Sequence, residues 1–195
     1  MAMRNQITFR QYRGMDLIFF TALLCLCESL IALAANQWFP KEPYTLSLTA
    51  AVTALVMIRW GAFAILPALA GGLAVCLASR AAPIQYLIYC LGNLAGLGML
   101  FFIKKITWQK IREDVLLSML YGFLTCLAMQ LGRMAVALAT GHDPLACLGF
   151  ITTDVLSLLF SVLILWIARR LDGMLEDQKH YLFRIQREKE QNKGA

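Results

Sequence analysis

Residues 115–140 read VLLSMLYGFLTCLAMQLGRMAVALAT, and the only formal charge among them is Arg133. A bilayer core about 30 Å thick is crossed by roughly 20 helical residues. This stretch is long enough, apolar enough and free of the period-two alternation that a membrane barrel strand needs. The rest of the chain agrees with it. Of 195 residues 59% are hydrophobic and 15% charged, against about 45–50% and about 25% in soluble domains. A soluble domain of this size lacks the polar residues to cover so much apolar surface, so the sequence describes an all-α polytopic membrane protein. No short basic segment with a small-residue cleavage site opens it, so removal of a leader is not expected.

Six stretches have the length or nearly so: about 17–36, 45–60, 62–79, 86–103, 115–140 and 145–168. The second is short and borrows Arg59 and Trp60 as an interfacial end. Residues 1–168 thus form one six-span membrane domain, and 169–195 a basic amphipathic tail. Lysines and arginines gather on the cytoplasmic side of membrane proteins. With the N-terminus inside, that side collects Arg4, Arg10, Arg13, Arg59, Lys104, Lys105, Lys110, Arg112 and seven more after Ala168, while the other receives Lys41 and Arg80. Both termini are therefore expected in the cytoplasm. Trp60, Trp108 and Trp166 fall near the inner boundary, and Trp38 and Tyr44 near the outer one. The net charge of +6 expresses this bias and is no argument for nucleic acid.

The six cysteines lie in or beside apolar spans with no CxxC spacing, which reads as packing rather than as a metal site. The first outer loop, NQWFPKEPY, has the most individual character. No repeat marks the chain as a standalone secondary transporter, many of which are built from repeats. Leu171, Met174, Leu175, Leu182 and Ile185 recur near helical spacing in the tail, as expected of a helix lying on the inner leaflet, continuing the sixth span into the cytosol or docking on a partner. Small residues at four-residue spacing, such as Ala64/Ala68 and Gly92/Gly96, let helix backbones approach closely in lipid.

Ionisable groups at membrane depth cost several kcal/mol and are kept where they face a cavity or a partner. Glu28, Arg133 and Asp154 are the charged candidates, with Asn93 and Gln130 as uncharged companions. Counted from the outer end of each span, Glu28, Asn93, Arg133 and Asp154 lie seven to nine residues down, about 10–14 Å at 1.5 Å per residue. Each sits in a stripe of polar or aromatic residues, among them Tyr86 and Tyr89 beside Asn93, Gln130 before Arg133, and Ser157 and Ser161 after Asp154. The expectation is an outward-opening pocket in which Arg133 is a fixed donor fork. Asp154 and Glu28 pair with it or take donors, Tyr86 and Tyr89 stack on a flat ligand, and Trp38 closes the top or anchors at the interface. A structural Arg133–Asp154 pair that binds nothing is the competing reading.

No GxxxxGK[ST], HExxH or GxSxG occurs, and His142 in GHDP reads as a turn. The chain is not expected to be an enzyme or to hold a metal or cofactor. Six spans, both ends inside, an outward pocket, no motor and the segment IRWGAFAILPALAGGLAVC at 58–76 resemble the substrate-binding S components of energy-coupling factor vitamin transporters. That resemblance implies capture of a vitamin or related micronutrient at the outer face of a bacterial plasma membrane. It also implies partnership with a transmembrane coupling subunit and two cytoplasmic ATPases. The family's first helix carries an Ala-x-x-x-Ala docking contact. The first span here has no clean pair, leaving Ala22 and Ser29, with Ala64 and Ala68 of the third span, as substitutes. Two other classes fit the architecture: a six-span scaffold similar to the rod-shape protein MreD, and a lipid-modifying membrane enzyme using Glu28 or Asp154.

Overall fold

The computed structural model describes residues 9–40 and 45–191. Arg4, Lys41 and Tyr44 lie outside them, as does the side chain of Ile185. The described residues are helical with no strand among them. The elements are α1 (Phe9–Trp38), α2 (Thr49–Trp60), α3 (Ile65–Ala78), α4 (Pro83–Asn93), α5 (Met99–Ile106), α6 (Trp108–Glu113), α7 (Val115–Ala139), α8 (Pro144–Cys147), α9 (Gly149–Thr152), α10 (Val155–Ala168) and α11 (Gln178–Gln191). Single 3-10 turns join α2 to α3 and α4 to α5.

Five continuous helical stretches among the described residues are long and apolar enough to cross a membrane: Phe9–Trp38, Thr49–Ala78, Pro83–Ile106, Val115–Ala139 and Pro144–Ala168. The sequence had suggested six. The difference lies in Thr49–Ala78, where the chain reverses rather than running straight. Gly61 closes α2 with φ +61°, a conformation that costs glycine little and other residues more. Gly71 then lies directly against the Thr49 side chain, whereas a straight helix would separate them by about 33 Å. The segment is a hairpin of two arms, α2 and α3, of 12 and 14 helical residues.

α1 packs chiefly on α3, α4 on α3 and α7, and α10 on α7 and α2. Ile18, Phe19, Leu26, Leu30 and Leu33 stay exposed on α1, as expected of a face that meets lipid. Between α4 and α7 the approach is unusually close. A Cβ on Gly132 would run into the Gly92 carbonyl, and one on Gly92 into the Arg133 backbone. This glycine pair brings Arg133 to within hydrogen-bonding reach of α4.

The first turns of α1 and the start of α11 meet at one pole, where Tyr12 Oη donates to Gln178 Oε1 at 3.2 Å. Arg59, read from sequence as an interfacial end, is instead buried there. It holds Asp16 through Nε and Nη2 at 2.9 and 2.7 Å and donates from Nη1 to the Gly173 carbonyl at 2.6 Å. Trp60 Nε1 donates to the same carboxylate at 2.5 Å. The start of the tail is not a continuous surface helix. Residues 169–176 form turns, Leu175 is fully buried in the main core cluster, and Glu176 is buried between Arg112 and Arg184. Only from Gln178 onward is the tail helical.

Candidate functional site

At the level of Glu28 the chain gives up helical hydrogen bonding in two neighbouring places. Residues 45–48 are non-helical just before α2, and 153–154 interrupt the last stretch just before α10. Irregular backbone at membrane depth survives only where protein or water satisfies its polar groups. Here protein does so. Glu28 Oε1 accepts from Ser47 Oγ (2.7 Å), Leu48 N (2.7 Å), Thr49 N (2.8 Å) and Thr49 Oγ1 (2.8 Å). A carboxyl oxygen from α1 thus caps α2, accepting from its orphan N–H groups. Glu28 Oε2 is buried with no hydrogen bond among the described residues.

On the other side of the strap stands Asp154, which sits at the N-cap position of α10. Its Oδ1 accepts from Thr45 Oγ1 at 3.1 Å and from Ser157 Oγ. Thr45 N donates to the Thr153 carbonyl at 3.0 Å, and Ser47 N to Ser157 Oγ at 2.8 Å. Residues 45–48 are therefore a strap stretched between a carboxylate on α1 and another at the head of α10.

Arg133 completes the layer. Its Nε donates to Asn93 Oδ1 at 2.8 Å and its Nη1 to Asp154 Oδ2 at 3.2 Å. The guanidinium stands over the Tyr89 ring, 4.9 Å from the centroid, and Phe150 meets the same ring edge-on at 6.1 Å. No hydrogen bond from Nη2 is found among the described residues. Arg133 lines a chamber of about 150 Å³ together with Thr45, Tyr89, Gly149, Phe150 and Asp154 among others. Thr45 and Tyr89 are also part of the wall of a second cavity, of about 690 Å³. This one lies between the ends of α1 and α3, the start of α4, and the strap, at the pole opposite Tyr12 and Gln178; Trp38, Phe39, Ser79 and Gln85 stand around it. Its volume falls within the roughly 300–1,000 Å³ of small-molecule sites.

The structure thus brings Arg133, Asp154 and Tyr89 to one chamber and places Glu28 and Trp38 in the wall of the adjoining cavity. Trp38 remains 70% exposed. Asn93 and Gln130 are committed elsewhere. Asn93 bridges Arg133 to the Ala68 carbonyl at 3.0 Å, and Gln130 Nε2 donates to the Asp154 carbonyl at 3.2 Å, securing the helix break. Tyr86 is half-buried and belongs to neither wall. Of the proposed docking positions, Ala22 is exposed and Ser29 half-buried, but Ala64 and Ala68 are fully covered by the chain's own helices. Close internal packing, which small residues permit, takes both away from any outer contact. The described cysteines are unpaired.

The sequence reading missed Thr45, Ser47 and Thr49, although TLSLT at 45–49 alternates hydroxyl with apolar residues as an extended segment does. It also missed the break in ITTDV at 151–155, where a Thr-Thr-Asp run precedes an apolar stretch as a helix start signal. No known protein family, curated protein or solved structure matches the chain.

Proposed function

We propose that this chain is a solute-binding membrane subunit, of the S-component kind, that captures a small water-soluble micronutrient for an ATP-driven importer. In this reading α2 and α3 each traverse the layer, giving six crossings with both termini in the cytoplasm of a bacterial cell. The 690 Å³ cavity then opens outward. One observation carries the proposal: a buried arginine with an unclaimed Nη2 lines a small polar chamber, and that chamber shares Thr45 and Tyr89 with the wall of a cavity large enough for a vitamin-sized guest. A purely structural ion pair needs no such space and no spare donor.

Arg133 is the recognition fork, Asp154 and Asn93 hold it in place, and Tyr89 and Trp38 provide the apolar faces. Glu28 serves the strap rather than the guest. The chain carries no phosphate-binding loop, so ATP hydrolysis belongs to partner subunits, reached through a separate coupling subunit. Gentle purification of the intact assembly from its native membrane tests this. Recovery of a transmembrane coupling protein with two ATPases is expected. Recovery of cell-wall assembly proteins instead would establish the scaffold class. Lipid turnover by the isolated chain that is lost on Asp154→Asn would establish the enzyme class.

A further inference from the structure

Charge around the chamber restricts what the guest can be. Among the described residues Arg133 is the sole cation in either cavity wall, and its Nη1 already holds Asp154. Arg80 stands between two wall residues, Ser79 and Ala81, but is itself exposed and part of neither wall. The N-termini of α2 and α10, where a phosphate or carboxylate would otherwise be drawn, have the protein's own Glu28 and Asp154 beside them. A guest carboxylate on Nη2 would stand close beside the Asp154 carboxylate that Nη1 already holds. A phosphate would be worse placed still.

A neutral carbonyl meets none of this opposition. It accepts from Nη2 without displacing Asp154 from Nη1, and the planar guanidinium has donors to spare. The chamber's 150 Å³ has room for a head of only a few heavy atoms. The neighbouring cavity, which shares Thr45 and Tyr89 with the chamber, offers the faces of Tyr89, Trp38 and Phe39, the uncharged polar side chains of Asn36, Ser79 and Gln85, and the Glu28 carboxyl.

Resting on the solute-binding reading above, we infer that the guest is an uncharged ring compound presenting an amide-type carbonyl, such as a lactam, imide or ureido edge, to Arg133. Carboxylate-headed and phosphorylated compounds are selected against by Asp154.

The test uses the full chain in lipid nanodiscs and three matched sets of compounds. Naphthalene, quinoline and quinazoline bodies each carry a carboxamide, a carboxylate or a phosphate head, and affinity is read by calorimetry. The carboxamides are expected to bind at least about tenfold more tightly than their carboxylate partners, a difference reasonable for one buried charge conflict. Asp154→Asn removes the competing anion and should invert that order. Should that variant fail to fold, the wild-type ranking decides alone, with Thr45→Val expected to keep the ranking at lower affinity. Carboxylates or phosphates binding best in the wild type, with the preference lost in Arg133→Ala, would overturn the inferred class while leaving the site intact. Affinity indifferent to the head group would overturn it too. Absence of binding by every compound, with a small molecule still released from the natively purified chain, would overturn this inference and leave the solute-binding reading standing; absence of both would remove the two together.

Discussion

Glu28 shows how a buried ionisable group is kept at membrane depth by work other than ligand binding. One oxygen takes four donors from the strap and the head of α2. Hydrogen bonds to charged groups contribute about 1.5–3 kcal/mol each in favourable settings, less where alternatives exist. Glu28→Ala is therefore expected to lower the apparent melting temperature more than Glu28→Gln, whose amide oxygen still accepts from part of the strap. Equal and unchanged melting of both variants, followed by tryptophan fluorescence in detergent, would show that the cap contributes nothing. Arg133 differs in having a donor to spare. Arg133→Lys keeps the charge but cannot reach Asn93 and Asp154 in one plane, so ligand affinity should fall by about tenfold or more by calorimetry. From sequence, the residues of this layer were legible because ionisable groups in apolar helices are costly and therefore conspicuous. Their roles were not, because depth alone does not distinguish a group facing a cavity from one capping a neighbour's helix. Tyr86 shows the same limit, since its spacing from Tyr89 suggested a shared face that the cavity walls do not include.

The helices themselves followed from apolar length, and their interruptions did not. A hydropathy pattern records how far a stretch stays apolar, and hydroxyls and single glycines barely disturb it. Residues 45–48 and 153–154 were consequently absorbed into spans, though it is their departure from helical geometry that creates the chamber. The start of the tail departs from a helix for the opposite reason. Leu171 and Leu175 recur at helical spacing but lie in turns closed around the Gly173 carbonyl, which takes donors from both Arg59 and Gln178. At this scale the glycine contact between α4 and α7 is the sharpest test. Gly132→Val would push the Gly92 carbonyl away and pull Arg133 off Asn93, lowering both thermal stability and ligand affinity. Gly98→Ala, where an added Cβ meets nothing within 4 Å, should be close to silent. Similar melting of the two variants by differential scanning fluorimetry would mean that the helices do not rely on that contact.

For the whole molecule, the hairpin α2–α3 decides how the chain lies in the bilayer. With six crossings, single cysteines placed at exposed Ala62 and Ala82 in a cysteine-free background react with membrane-impermeant maleimide from opposite sides. Ala62 should label from the side of the termini and Ala82 from the side of Trp38. A single pass through Thr49–Ala78 would instead leave Ala62 protected from both phases and put Trp38 and Ala82 on opposite faces. The central claim is that the chamber beside Arg133 holds a guest delivered through the outer cavity. Mass spectrometry of small molecules released on denaturing the natively purified chain, run beside Arg133→Ala prepared in parallel, addresses it most directly. The account predicts one compound at near-stoichiometric yield from the wild type and at about one-tenth of that yield or less from the variant; equal yields from the two, or no compound from either, would contradict it.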